Sequence, residues 1–124
     1  MAVNGTGPYD PDNIFAKILR GDIPCNKVFE NKWVLAFHDI APKAPVHVII
    51  IPKKPYVSFI DFSTNATPEE IAALMQSTGH IAAELNLNEA GYRVITNAGQ
   101  NAGQEVPHFH LHLLGGKALP PFPV

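Results

Sequence analysis

Pro107-His108-Phe109-His110-Leu111-His112-Leu113-Leu114 is the stretch from which the rest of the chain can be read. Successive side chains of an extended strand point to opposite sheet faces, so His108, His110 and His112 share one face and Phe109, Leu111 and Leu113 the other. The spacing predicts three imidazoles in a row over an apolar underside. Three readings of such a row are open. Neutral imidazoles on one strand face can converge on Zn²⁺. A neutral imidazole nitrogen can instead attack an electrophile such as phosphorus and form a covalent intermediate. With an ordinary pKa of about 6.5, the ring is largely neutral at pH 7 while a neighbouring His can still hold or pass a proton. The third reading is a polar strand face that happens to be rich in His.

With 124 residues, 46% of them hydrophobic, the chain can bury one domain's core without disulfide or metal support. Its formal net charge is −2 and its nine Lys and Arg are scattered, which argues against a nucleic-acid polymer as partner. Met1 to Pro8 lacks a basic segment followed by an apolar one, and no apolar run reaches membrane-spanning length. A soluble cytoplasmic protein with no membrane partner is expected. Cys25 is the single cysteine, so neither an intrachain disulfide nor a CxxC motif is possible, and it reads as a partly buried small residue.

Residues 1–11, rich in Gly, Pro, Asn and Asp, read as a flexible N-terminal arm. Asp12 is placed to cap a helix of about two turns, with Ile14, Phe15, Ile18 and Leu19 on one face and Gly21 ending it. Lys27 to Glu30 and Trp33 to His38 form a predicted hairpin around Asn31-Lys32, and Pro42 and Pro45 impose a bend after it. Val46 to Pro52, nearly continuous in β-branched residues, predicts a central strand covered on both faces. Residues 53–65 read as mixed, with Val57, Phe59, Ile60 and Phe62 packing locally. Thr67-Pro68-Glu69-Glu70 is a capping box that opens a long helix running to about Leu85. Tyr92 to Asn97 is the next predicted strand, and residues 117–124 form a proline-rich tail beyond the domain at 12–116.

This order of elements predicts an α+β fold: an antiparallel meander of about five strands with helices on one side. Edge strands and the outer face of the long helix make self-association an expectation.

Other residues join the His strand as site candidates. His47 interrupts an apolar strand, and a buried imidazole that needs a partner could orient a catalytic one through its ring nitrogen. His38-Asp39 closes a strand just before the proline loop, and an ionised Asp39 could accept two ribose hydroxyls. The loop Asn97 to Glu105 has Gly-rich backbone and amide side chains that could hold an anion beside the His row. His80 falls on the solvent side of the long helix.

His108-Phe109-His110-Leu111-His112-Leu113-Leu114 resembles the histidine triad motif, His-φ-His-φ-His-φ-φ with φ apolar, of the HIT superfamily. Asp12 to Ile18, Phe37 to Pro42, Ala44 to His47, Ile51 to Lys54 and Gly115-Gly116 resemble its Hint branch, the histidine triad nucleotide-binding proteins. The resemblance implies a homodimer whose two sheets join, and cleavage of the P–N bond of purine nucleoside 5′-phosphoramidates or lysyl-AMP-like adducts, releasing AMP or GMP. It implies His110 as the nucleophile, His112 as the phosphate contact that assists leaving-group protonation, and His108 and His47 as orienting residues. Asp39 would hold the ribose, while Asn97 and the backbone at Gly103, Gln104 and Glu105 would hold the phosphate. Ile14, Phe15, Ile18, Phe37, His38 and Ile40 would line the base pocket. Neither a metal nor another cofactor is implied. Dinucleoside polyphosphate hydrolysis, or a non-catalytic nucleotide- or metal-binding role, are the alternatives.

Three features depart from the eukaryotic pattern of that branch. Glu105 stands where a Ser is usual, Pro107 replaces an aromatic, and the tail lacks a terminal Trp.

Overall fold

The computed structural model describes residues 3–122; Met1-Ala2 of the arm and Pro123-Val124 of the tail lie outside the described residues. Three helices and five strands follow in the order α1 (Ile14–Arg20), β1 (Lys27–Glu30), β2 (Val34–His38), β3 (Val46–Pro52), α2 (Phe59–Asn65), α3 (Pro68–Glu84), β4 (Arg93–Ile95) and β5 (Leu111–Gly115). The strands form one antiparallel sheet in the order β1-β2-β3-β5-β4. The fold is α+β, as expected, but it is not a meander. The segment holding α2 and α3 crosses from β3 to the far edge, and β5 then inserts between β3 and β4. Apolarity explains the choice. β5 is buried along nearly its whole length and takes two neighbours, whereas β4 has three residues and an exposed Val94, and takes the edge.

Helices cover both faces of the sheet, which corrects the expectation of a single side. Val34, Ala36, Val48, Ile50, Leu111 and Leu113 pack with Phe62 of α2 and Leu74, Ile81 and Ala82 of α3. The alternate residues Leu35, Phe37, Ile49 and Ile51 pack on the opposite face against Phe15, with Ile18 alongside. An isolated antiparallel sheet can leave one face wet, but β2 and β3 are apolar on both faces and need two covers. The short helix α1 supplies the second.

Local signals set the helix ends. Asn13, rather than Asp12, caps α1 by accepting the Ala16 N–H at 2.9 Å; the Asp12 N–H turns back to Asp10 Oδ1. Gly21 ends the helix at φ 83°, a left-handed conformation that a Cβ disfavours. The Thr67/Glu70 capping box is present, and Glu70 Oε1 also accepts the Tyr56 hydroxyl at 2.8 Å. α2 lies within residues 53–65, which read from the sequence as mixed. Seven residues long and without a clear period, it is started by the Ser58 hydroxyl, which accepts the Ile60 N–H at 3.1 Å.

Residues 3–11, read from the sequence as a flexible arm, are tied to the body. Val3 N–H donates to Gln104 O at 2.9 Å, Ser58 Oγ donates to Gly5 O at 2.6 Å, and the Tyr9 hydroxyl lies 2.6 Å from His108 Nδ1. A Cβ on Gly5 would stand 3.1 Å from the Gly99 backbone, so glycine is what lets the arm lie this close to the loop beneath it.

Candidate active site

The apolar underside of the His row is the firmest part of the site. Phe109, Leu111 and Leu113 are buried in the core cluster on the α3 side, and the Phe109 N–H is fixed to Tyr56 O at 2.7 Å. Only His112 lies within β5; His108 and His110 precede it on backbone outside the strand, yet the alternation continues and their rings lie on the α1 side. His110 meets Phe15 edge-on with ring centroids 5.0 Å apart, and stands 5.0 Å from the His112 ring.

On this face a cleft of about 260 Å³ opens. Its floor follows the register Phe37↔Ile49↔His112 across three strands. Ile14, Phe15 and Ile18 of α1 line it together with Phe37, His38, Asp39 and Ile40. Asn97, Gly103, Gln104 and Glu105 line it together with His110 and His112. All the residues expected to touch a nucleotide therefore meet in one cavity. His47 and His108 lie behind it. Ile23, Pro24, Cys25, Asn26, Ile49 and Val106 also line the cleft and were missed, because loop and strand side chains of this kind carry no chemical signature.

The hydrogen bonds fix where each ring proton sits. His108 Nε2 is 2.9 Å from Pro52 O, a carbonyl that can only accept, so His108 carries its proton on Nε2 and its Nδ1 accepts from the Tyr9 hydroxyl. His110 Nδ1 is 2.7 Å from His108 O and must donate, which leaves His110 Nε2 as a bare lone pair. The Lys43 N–H donates to His47 Nδ1 at 3.0 Å. His47 Nε2 therefore bears the proton and donates to His112 Nδ1 at 2.9 Å. His112 then presents an Nε2–H. Neither Nε2 atom, of His110 or of His112, has a partner among the described residues. A lone pair and a donor stand side by side in the cleft.

Burial favours the neutral form of all four rings. It pushes His108 down to about 4, and His112 down to about 4 with His110 and His47 acting the same way. Burial also lowers His110 and His47, opposed in each case by the Asp39 charge, and at His110 by Glu105 as well. Asp39 is held at both oxygens: Oδ1 accepts the Ala41 N–H at 2.8 Å, and Oδ2 lies 3.3 Å from His47 Nε2.

The anion loop differs from the expected backbone nest. Gly103 N–H donates to Gln100 O and Gln104 N–H to Gly99 O, both closing the 3-10 turn Gln100–Ala102. The Gln104 side chain is buried and fully engaged with Gly99, Val57 and Val106. Of the three backbone donors expected for phosphate, the Glu105 N–H is the one without an internal acceptor among the described residues.

Asp39, His47 and His112 bring three ligand-type atoms within 4.8 Å of one another. The donor set does not fit a metal ion. Coordination by His47 Nε2 needs a lone pair there, and the Lys43 N–H on Nδ1 leaves that nitrogen protonated. The three triad histidines do not converge either, since both nitrogens of His108 are engaged by Tyr9 and Pro52.

The model of the HIT domain matches residues 20–119. The chain belongs to the HIT family. A HIT-like protein of Azospirillum brasilense, described as uncharacterized, is 52% identical over 113 residues, covering 91% of this chain and 93% of its own. The HIT family hydrolase of Legionella pneumophila is 43% identical with a TM-score of 0.83, covering 90% of this chain and 98% of that one. The HIT family hydrolase of Clostridium thermocellum has the same TM-score at 37% identity, over 91% and 97%. The fold of this HIT protein is thus that of proteins described as hydrolases, and in its cleft the bare Nε2 of His110 stands beside the Nε2–H of His112.

Proposed function

We propose that the protein hydrolyses the P–N bond of purine nucleoside 5′-phosphoramidates, such as adenosine phosphoramidate or lysyl-AMP-like adducts, through a nucleotidyl intermediate on His110. The observation that carries this reading is the bare Nε2 of His110, held by the 2.7 Å bond from Nδ1–H to His108 O, beside the Nε2–H of His112. The base and ribose would lie along Ile14, Phe15, Ile18, Phe37 and Ile40 with Asp39 at the hydroxyls, which leaves the phosphorus at the histidines. Attack forms an Nε2–P bond and breaks the P–N bond. The positive ring so formed is stabilised through its Nδ1–H on the His108 carbonyl. His112 donates its Nε2–H to a phosphoryl oxygen, which assists departure of the amine, and the amine takes its proton from solvent. Water then breaks the His110–P bond, releasing AMP or GMP and restoring the neutral ring.

The cleft lining favours this substrate over a dinucleoside polyphosphate. Among the described residues its charged side chains are the two carboxylates Asp39 and Glu105, with no Lys or Arg to hold a polyanion. A homodimer belongs to the same reading, and the exposed Met75 of α3 and Val94 of the edge strand β4 support it. A cytoplasmic setting is part of it too; no helix among the described residues is long and apolar enough to cross a membrane.

The test is mass spectrometry after mixing with adenosine phosphoramidate, using a quench that preserves a P–N adduct. A nucleotidyl mass on the peptide bearing His110 is expected, and absent in His110→Ala. Turnover with no adduct, or an adduct elsewhere, overturns the mechanism.

A further inference from the structure

We propose that Tyr9, on the N-terminal arm, is a positioning residue of this active site: its hydroxyl holds His108 in the neutral, Nε2-protonated form from which the His110 nucleophile is aligned. The inference rests on the proposed role of His110 and goes beyond it, because Tyr9 belongs to the arm and does not line the cleft.

His108 is fully buried and gripped on both sides of its ring, by Pro52 O at 2.9 Å on Nε2 and by the Tyr9 hydroxyl at 2.6 Å on Nδ1. The Tyr9 and His108 rings meet edge-on with centroids 5.6 Å apart. Two bonds on opposite ring atoms prevent rotation, where one would leave the ring and the carbonyl of the same residue freer to shift. That carbonyl accepts the Nδ1–H of His110, so the position of His108 sets the direction of the attacking lone pair.

The donated hydroxyl proton has a second effect. It occupies the one lone pair through which His108 could become cationic, and a hydrogen bond to the neutral form disfavours the charged one. A cationic His108 next to His110 would lower the nucleophilicity of the ring that must attack. The groups acting electrostatically on this pair are His110 on His108, and Arg20 and Asp10 on Tyr9. The arm is built to deliver the hydroxyl. Gly5 is buried against Gly99 and fixed by Ser58, and Val3 is bonded to Gln104 in the loop that borders the cleft.

Tyr9→Phe keeps the ring and removes the proton. Losing one such bond next to the reacting group is expected to lower kcat about tenfold with KM within about twofold, since no nucleotide contact is removed. ¹⁵N NMR of His108 is expected to show its titration moving upward in Tyr9→Phe, and the acid limb of kcat to move upward with it. Wild-type kcat together with an unchanged His108 titration overturns the proposal. So does a loss of kcat that merely follows a fall in melting temperature with the His108 titration unchanged. Should the wild-type protein cleave no phosphoramidate, the functional reading fails, while the NMR arm still decides whether Tyr9 controls His108.

Discussion

His47 Nε2 lies 2.9 Å from His112 Nδ1, and the proton between them belongs to His47, because the Lys43 N–H already occupies the other nitrogen of that ring. His112 is thereby obliged to keep its own proton on the nitrogen facing the cleft. His47→Ala frees His112 to exchange tautomers and leaves a buried acceptor without a donor, and is expected to cost about 1–3 kcal/mol of transition-state stabilisation, or about 5- to 150-fold in kcat. His47→Gln offers a carbonyl for Lys43 N–H and an amide N–H for His112, and is expected to recover part of the loss. Steady-state kinetics on adenosine phosphoramidate compare the two; equal activity of Ala and Gln would remove the tautomer argument.

Stability should fall as pH is lowered through the histidine range. Folded-state values below the ordinary 6.5 mean that the unfolded chain binds more protons between about pH 4 and 6.5, so the contribution is whole above that window and is lost below it. His108 alone, held at about 4, accounts for about 3 kcal/mol by pH 4. Urea unfolding at a series of pH values measures the slope, and His108→Gln should flatten it.

The parts of the fold visible in the sequence are those written in side-chain period or cap chemistry. The alternation from His108 to Leu114, the β-branched run at Val46 to Pro52 and the Thr67-Pro68-Glu69-Glu70 box each became the structure they imply. What decides the chemistry of the cleft was not visible, because it resides in backbone groups. Every residue but proline has an N–H, so nothing marks Lys43 as the donor that sets the His47 tautomer, or Pro52 as the carbonyl that sets that of His108. Tyr9 meets His108 across 99 positions of sequence, a contact that no local pattern encodes. The sequence likewise carries no mark that the 3-10 turn engages the N–H groups of Gly103 and Gln104, which its glycines suggest as phosphate donors.

Activity should survive EDTA, and Zn²⁺ should bind weakly at Asp39, His47 and His112. An ion there must displace the Lys43 hydrogen bond before His47 Nε2 can coordinate it. Isothermal titration with Zn²⁺ and turnover after dialysis against chelator measure both expectations. Tight stoichiometric binding accompanied by chelator-sensitive turnover would replace the nucleophile mechanism with a metal-assisted one.

Glu105 is expected to set what the cleft rejects. It is exposed, lines the cavity with His110 and His112, and its charge raises His110 against the downward pull of burial. Among the described residues no Lys or Arg lines the cleft to offset it, so each further negative charge on a nucleotide bound there would meet repulsion. Glu105→Gln should strengthen binding of ADP relative to AMP by about two- to fivefold, the scale of an exposed charge interaction. The gain should shrink as salt is raised, since charges farther apart than about 8 Å are screened at physiological ionic strength. The same substitution lowers the basicity of His110 by removing a nearby carboxylate, so kcat for adenosine phosphoramidate should drop slightly while ADP affinity rises. Competition titrations of AMP and ADP at two salt concentrations give the ratio. An ADP-to-AMP ratio that is the same in Glu105→Gln and wild type would show that the carboxylate does not reach the phosphates.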